Sequence, residues 1–136
     1  MLGFNYRITD IQAALGLSQM ANLETWINTR NKIARYYFER LAPQQLPRYF
    51  NSERRSAFHL YVHHVAPEQR SALFQTLRKQ DIGANVHYIP IYKQPWYQKW
   101  TQTPLPSTEQ YYAGAMTLPL FPGLTNAQQL KICSLL

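Results

Sequence analysis

Cysteine occurs once in this sequence, at Cys133. That count excludes an internal disulfide and a multi-cysteine metal site, and a lone thiol fits a reducing compartment. Acidic side chains are scarce too. Seven Asp and Glu stand against fourteen Lys and Arg, for a formal charge of +7 and a pI near 9.7. Such a surplus attracts anions. Its cations are spread along the chain, densest at Arg48, Arg54 and Arg55, whereas a nucleic-acid domain gathers them in one stripe. A phosphorylated small molecule or an acidic companion domain is an equally good counter-charge, and a basic nucleic-acid-binding domain is the less favoured reading. No apolar run approaches the roughly 18 residues of a membrane span, and no apolar h-region of a signal peptide opens the chain. A soluble, cytoplasmic protein is expected. Gly-rich phosphate loops and nucleophile elbows are also missing.

What is present suffices for one compact domain. Hydrophobic residues make up 46% and aromatics 14% of 136 residues, a mix that buries a core rather than staying disordered. Three strings match the S/T-x-x-E/Q capping box, in which two side chains satisfy two orphan backbone donors: Thr9 to Gln12, Ser107 to Gln110 and Thr125 to Gln128. Apolar residues at helical spacing predict a short helix from Thr9 to about Met20 and a longer one from about Asn22 to Leu41, stopped by Pro43. Residues 47–55 read as polar and irregular. Alternation predicts a strand over Ala57–Ala66. A helix follows from Pro67, with Gly83 placed as a left-handed C-terminal cap. A second strand is expected over Ala84–Ile89, a Pro- and aromatic-rich loop over Pro90–Pro106, and helices over Ser107–Met116 and Thr125–Leu136 with an extended link at Leu118–Pro122. The expected class is α+β, helices packed on a small sheet behind a long helical segment. Residues 1–41 would be the helical segment and 42–136 the small domain, with the last helix cut short at Leu136.

Three segments could carry chemistry. Asn5, Tyr6 and Arg7 lie in the turn before the first helix, where backbone donors, the positive end of the dipole and an Arg together suit a phosphate; a capped helix with a surface Arg is the plainer account. On the second strand Asn85, His87 and Ile89 would share one face and Tyr88 the other. His87 could sit at the lip of a pocket and meet a phosphate or hydroxyl, or be satisfied within the sheet. Tyr88, Tyr92, Trp96, Tyr97 and Trp100, interleaved with Lys93 and Lys99, could stack bases but read first as a loop stapled by its own rings. Metal binding is not expected: His63 and His64 would point to opposite faces, and His59 and His63 would stand about 13 Å apart. Cys133 has no basic activator beside it.

The string LGFNYRITDIQAALGLSQM resembles the segment that opens the C-terminal part of DegT/StrS-type sugar aminotransferases. Four further strings, in order, resemble later parts of the same family: AFHLYV at Ala57–Val62, DIGANVHYIPI at Asp81–Ile91, QPWY at Gln94–Tyr97, and LPLFP at Leu118–Pro122. The resemblance implies the small C-terminal domain of a fold-type-I enzyme that uses pyridoxal 5'-phosphate to aminate nucleotide-linked keto sugars, with glutamate as amino donor and a homodimer as the working state. The VHYIPI and QPWY strings point to the enzymes that aminate C4 of a UDP-linked 4-keto-6-deoxy amino sugar, as in pseudaminic acid synthesis.

By the same resemblance, Asn5 matches the Asn that reaches the cofactor phosphate of the neighbouring subunit. Arg7 matches a basic residue of the same turn, Tyr6 lies beside the substrate, and His87 and Tyr88 match positions facing the sugar nucleotide. The family's Schiff-base lysine, with the acid that pairs with the pyridine nitrogen, belongs to a large N-terminal domain. None of Lys32, Lys79, Lys93, Lys99 and Lys131 matches its motif. The expectation is therefore a fragment, inert alone, whose missing partner is that large domain and which exposes the apolar surface that once faced it. A non-catalytic sugar-nucleotide or phosphate-binding module is the alternative.

Overall fold

The computed structural model describes residues 3–4, 6–100 and 105–136. The chain opens with α1 (Asp10–Met20) and α2 (Leu23–Leu41). Thr9 caps α1 as its spacing foretells: the Thr9 amide donates to Gln12 Oε1 at 2.9 Å and the Gln12 amide to Thr9 Oγ1 at 3.3 Å. The two helices then differ. Every side chain of α1 is at least partly exposed, Ile11 by 85%. On α2, by contrast, Ile33, Ala34, Tyr37 and Phe38 form a stripe at three- and four-residue spacing that is almost wholly buried. The expected exposed apolar surface is present, and α1 carries it.

After α2, Pro43 opens a 3-10 turn (Pro43–Gln45) and the short α3 (Leu46–Tyr49) follows, so the segment read as irregular begins helically. This folds Tyr49 back onto Phe38, with ring centroids 4.7 Å apart. Phe38 also meets Phe50, Phe58 and Tyr61. Phe58 adopts φ +43°, a left-handed conformation rare for a bulky side chain. Its amide donates to Ser56 Oγ at 3.0 Å, and its ring is gripped by Phe50 and Tyr49. That turn is why the strand expected over Ala57–Ala66 shortens to β1 (Tyr61–His64). His59 consequently lies outside any strand.

From β1 the chain enters α4 (Pro67–Lys79), with Pro67 in the first turn and Leu77 fully buried. Gly83 is not its left-handed cap. Asp81, at φ +58°, takes that role: the Asp81 amide donates to Arg78 O and the Ile82 amide to Leu77 O, the paired bonds of a Schellman turn that seats Ile82 in the core beside Leu77. Asx side chains tolerate this conformation better than most, so glycine is not needed.

The second strand is not Ala84–Ile89. Only Asn85 pairs there, bridging Thr117. The partner of β1 is instead β2 (Ala115–Leu118), antiparallel, with Tyr61 opposite Leu118 and His64 opposite Ala115. Residues expected to finish a helix at Met116 thus lie in the sheet. α5 (Pro106–Gly114) starts one residue ahead of the anticipated cap. Pro106 takes the first helical position, where its missing N–H costs nothing, so Ser107 lies inside the helix and forms no capping box. Glycine is needed at its last position, Gly114, because the Val65 carbonyl comes within 2.5 Å of where a Cβ would stand.

All four β2 residues are buried, with α4 packed against the strand and the segment at Asn85 and His87 meeting Thr117. α6 (Asn126–Ser134) closes the core from its Thr125 cap, as expected, and the buried Gln129 donates to Ile33 O of α2 at 3.1 Å. The result is the anticipated α+β class, helices packed on a two-stranded sheet. Among the described residues no helix is long and apolar enough to cross a membrane. Gly114→Ala is expected to lower stability by about 1–3 kcal/mol in urea unfolding, because the new methyl meets backbone. Replacing Ile11 and Leu15 together by Gln should change stability by less than about 0.5 kcal/mol; a larger loss would show that α1 belongs to the folded core.

Candidate functional site

The site residues foreseen from sequence fall into two regions. In the turn before α1, Asn5 lies outside the described residues. Tyr6 is 89% exposed, its ring stacked on that of Phe4 at 5.6 Å, and Arg7 is exposed beside it. The capping box already uses the amides of Thr9 and Gln12, and Arg7 supplies the cationic side chain of this turn. Among the described residues it stays exposed.

The second region is built on β2. Asn85 exchanges two backbone hydrogen bonds with Thr117, its amide donating at 3.1 Å and its carbonyl accepting at 2.7 Å. Two residues on, His87 Nδ1 lies 2.9 Å from the hydroxyl of the buried Thr117. The imidazole is therefore fixed from below by β2. The face assignment made from alternation fails here. With a single bridge and no continuing ladder, His87 and Tyr88 do not diverge; their rings meet edge to face at 4.6 Å. Tyr88 is 70% exposed. Sequence reasoning missed Thr117, because the strand that carries it reads as the end of a helix. No hydrogen bond or aromatic contact joins Tyr6 or Arg7 to His87 or Tyr88.

The loop after His87 is clasped. Glu109, in the first turn of α5, accepts hydrogen bonds from the Tyr92 hydroxyl and the Lys93 ammonium. The bond from Lys93, then that from Tyr92, holds the Glu109 carboxyl below the usual carboxylate range. The same bond pushes the Tyr92 hydroxyl up to about 12. Lys93 and Arg70 both face the Tyr112 ring, at 5.4 and 5.1 Å. Farther out Lys99 sits over Trp96 and Trp100 at 4.2 and 4.3 Å. These rings staple one another, as expected, yet Trp96 and Trp100 stay largely exposed. Glu109 was hidden in sequence by the mistaken capping box that assigned the reciprocal role to Gln110.

The remaining candidates are quiet. His63 and His64 are both pushed below their ordinary value by burial, His63 also by its neighbour. Burial raises the Cys133 thiol, which disfavours the nucleophilic thiolate. Among the described residues no group of His, Cys, Asp and Glu could hold a metal. A pyridoxal cofactor needs an amine for its aldehyde and an acid for its ring nitrogen. Lys93 and Lys99 are held as described, Lys131 donates to Gln80 O, and Lys32 and Lys79 are exposed on helices. Lys32 does border a groove that also holds Glu53, but that groove is open and Lys32 is exposed. The chain by itself does not fit that cofactor.

The sequence profile described as the DegT/DnrJ/EryC1/StrS aminotransferase family matches residues 1–136. The spore coat polysaccharide biosynthesis protein SpsC of Bacillus subtilis is 33% identical, over 91% of this chain and 34% of its own length. Helicobacter pylori PseC, an aminotransferase involved in the biosynthesis of pseudoaminic acid, superposes with a TM-score of 0.83 at 28% identity, over 99% of this chain and 38% of that one. NtdA of Bacillus subtilis, solved with bound cofactor PMP, gives 0.79 and 28%, over 98% and 32%. The chain thus spans about a third of the length of these relatives.

The histidine shifts give a pH prediction. A folded-state pKa below the unfolded value of about 6.5 means the unfolded chain takes up the proton first. Stability should therefore be unaffected above that pH and fall as pH drops below it. His63→Gln should flatten the fall in urea midpoints between about pH 7 and 5; an unchanged slope would remove the half-buried histidine as its cause.

Proposed function

Because this chain belongs to the DegT/DnrJ/EryC1/StrS aminotransferase family, we propose that it is the C-terminal portion of an enzyme that aminates a nucleotide-linked keto sugar for amino-sugar biosynthesis. The observation that carries this is the family match along all 136 residues, in a chain spanning only about a third of its relatives. The likeness to PseC, with VHYIPI and QPWY, favours C4 of a UDP-linked 4-keto-6-deoxy amino sugar as the aminated centre. Glutamate is the proposed amino donor and the cytoplasm the proposed compartment.

In this reading the catalytic lysine comes from a large domain in front of α1, and the exposed apolar residues of α1 are covered in the assembled homodimer. When bound there, pyridoxal phosphate supplies the electron sink for moving the amino group. This chain's own residues bind and orient. Asn5 and Arg7 hold the cofactor phosphate of the partner subunit by charge-assisted hydrogen bonds, with Tyr6 beside the substrate. His87, fixed by Thr117, offers its other nitrogen to the sugar nucleotide, and Tyr88 lends it an exposed ring. The clasp of Glu109 on Tyr92 and Lys93 ties the loop after His87 to α5.

The alternative, a binding module without catalysis, is favoured by His87 being fixed by Thr117 within this chain alone. Calorimetric titration of the 136-residue chain with a UDP-sugar separates the two: saturable heat that His87→Ala abolishes supports the module, whereas heat indifferent to His87→Ala, or none, is expected from an isolated portion. In a fusion of the chain behind the large domain of PseC, transamination should appear. His87→Ala should then raise KM with little change in kcat, as for a group that holds substrate equally in ground and transition states. A fusion that folds but transfers no amino group would overturn the proposal.

A further inference from the structure

A large cavity lies away from the turn at Arg7 and from His87. It is an open groove of about 990 Å³ between the middle of α2 and the loop after α3, lined on one wall by Asn28, Lys32 and Arg35 and on the other by Phe50, Arg54 and Arg55. Asn28, Lys32 and Arg35 share a helix face by their spacing. A second cavity of about 290 Å³ lies across Arg54 and Arg55 and adds Arg48 to its lining. Five cations therefore border two adjoining hollows. Only Arg55 has an acidic partner, Glu24 at 2.8 Å; the other four form no ion pair among the described residues. Glu53 is the single acid in the lining.

The groove is also held in shape. Asn51 Oδ1 accepts the Glu53 amide at 3.0 Å, and Asn51 bridges Arg54 to close the loop. Asn31 of α2 donates to Ser56 O at 2.8 Å, and Arg30 to Phe58 O at 3.2 Å, tying the loop's end to the helix. Two of the guanidiniums are already positioned. Arg35 lies over the Phe50 ring at 4.2 Å, and Arg55 donates to Glu24 and to Asn28 Oδ1, each at 2.8 Å. Pre-placed donors lose less entropy on meeting an anion than free side chains do. Unpaired like charges on facing walls repel until a counter-charge sits between them.

We propose that this groove binds the diphosphate group of a small molecule. A hollow of about 990 Å³ has room for more than one phosphate, with Lys32 on the helix wall and Arg54 on the loop wall to receive them. Two linked phosphates present charge at two centres, and Arg geometry suits their oxygens. The volume falls in the range that takes a drug-sized ligand, and Tyr49 and Phe50 supply an apolar wall for whatever the diphosphate carries. The site is separate from the turn at Arg7 and from His87, and the proposal does not depend on aminotransferase activity.

The test is calorimetry on the 136-residue chain at physiological ionic strength, with pyrophosphate as the probe and orthophosphate as the control. One-site binding is expected, tighter for pyrophosphate. Lys32→Gln and Arg54→Gln should each weaken it about tenfold, the loss of one charge-assisted hydrogen bond, with circular dichroism unchanged. Arg7→Gln should leave it unaltered. UDP binding more tightly than pyrophosphate would assign the apolar wall to a nucleoside, and equal affinity would confine recognition to the diphosphate; both support the site. No saturable pyrophosphate binding overturns it, as does binding that survives both groove substitutions or is lost in Arg7→Gln. Displacement of pyrophosphate by a single-stranded RNA oligonucleotide of higher affinity overturns the small-molecule assignment in favour of nucleic acid.

Discussion

Two consecutive aromatic residues on one helix hold the rest of this structure together. Tyr37 and Phe38 of α2 both pack on Tyr61 of β1, at 4.9 and 4.8 Å between ring centroids. Tyr37 also donates its hydroxyl to Pro119 O at 2.9 Å, which pins the chain leaving β2. Its hydroxyl is thereby satisfied inside the core, where burial pushes its pKa up and keeps it a donor. Phe38 gathers Tyr49, Phe50 and Phe58 around the same centre. Six of the nineteen aromatic residues thus join one long helix to a sheet too small to be stable by itself.

That junction also sets where function can lie. Because β2 is buried on both faces, its polar residue Thr117 needs partners, and it finds them in the Asn85 backbone and the His87 ring. The loop that carries the histidine is consequently anchored at its start by the sheet and farther along by Glu109. On the opposite flank, Arg30 and Asn31 of α2 tie down the segment from Ser56 to His59 by its carbonyls. The same ties fix the outer wall of the basic groove. One helix therefore positions the core with its C-terminal half, and the groove with the polar face of its middle turns.

α1 obeys a different rule. Its local chemistry is complete, with a reciprocal cap and helical residues throughout, yet no side chain of it is buried. Its apolar residues contribute nothing to the core of this chain, so the face they form is available to a surface outside it. Family membership and the one-third coverage of the relatives give that face a natural occupant in the large domain and second subunit of the proposed assembly.

Local rules alone determined a good deal here. The capping boxes at Thr9 and Thr125, the stop at Pro43 and the Pro67 start depend on neighbours within four residues, where sequence and structure carry the same information. The motifs at Asn5–Arg7 and around His87 were likewise visible as strings, and so was the family they resemble. Tertiary structure decided the rest. Whether Ala115–Leu118 continued a helix or paired as a strand rested on Tyr61–His64 lying alongside, a contact more than fifty residues away in sequence. Whether Ser107 or Leu105 capped α5 turned on the ring of Pro106. Arg54 and Lys32, unremarkable in a dispersed basic composition, became one groove only when the loop folded back on α2. Spacing along a chain reports which residues share a helix face or a strand; it cannot report which distant backbone will satisfy their hydrogen bonds, and that choice fixed the sheet, the histidine and the groove.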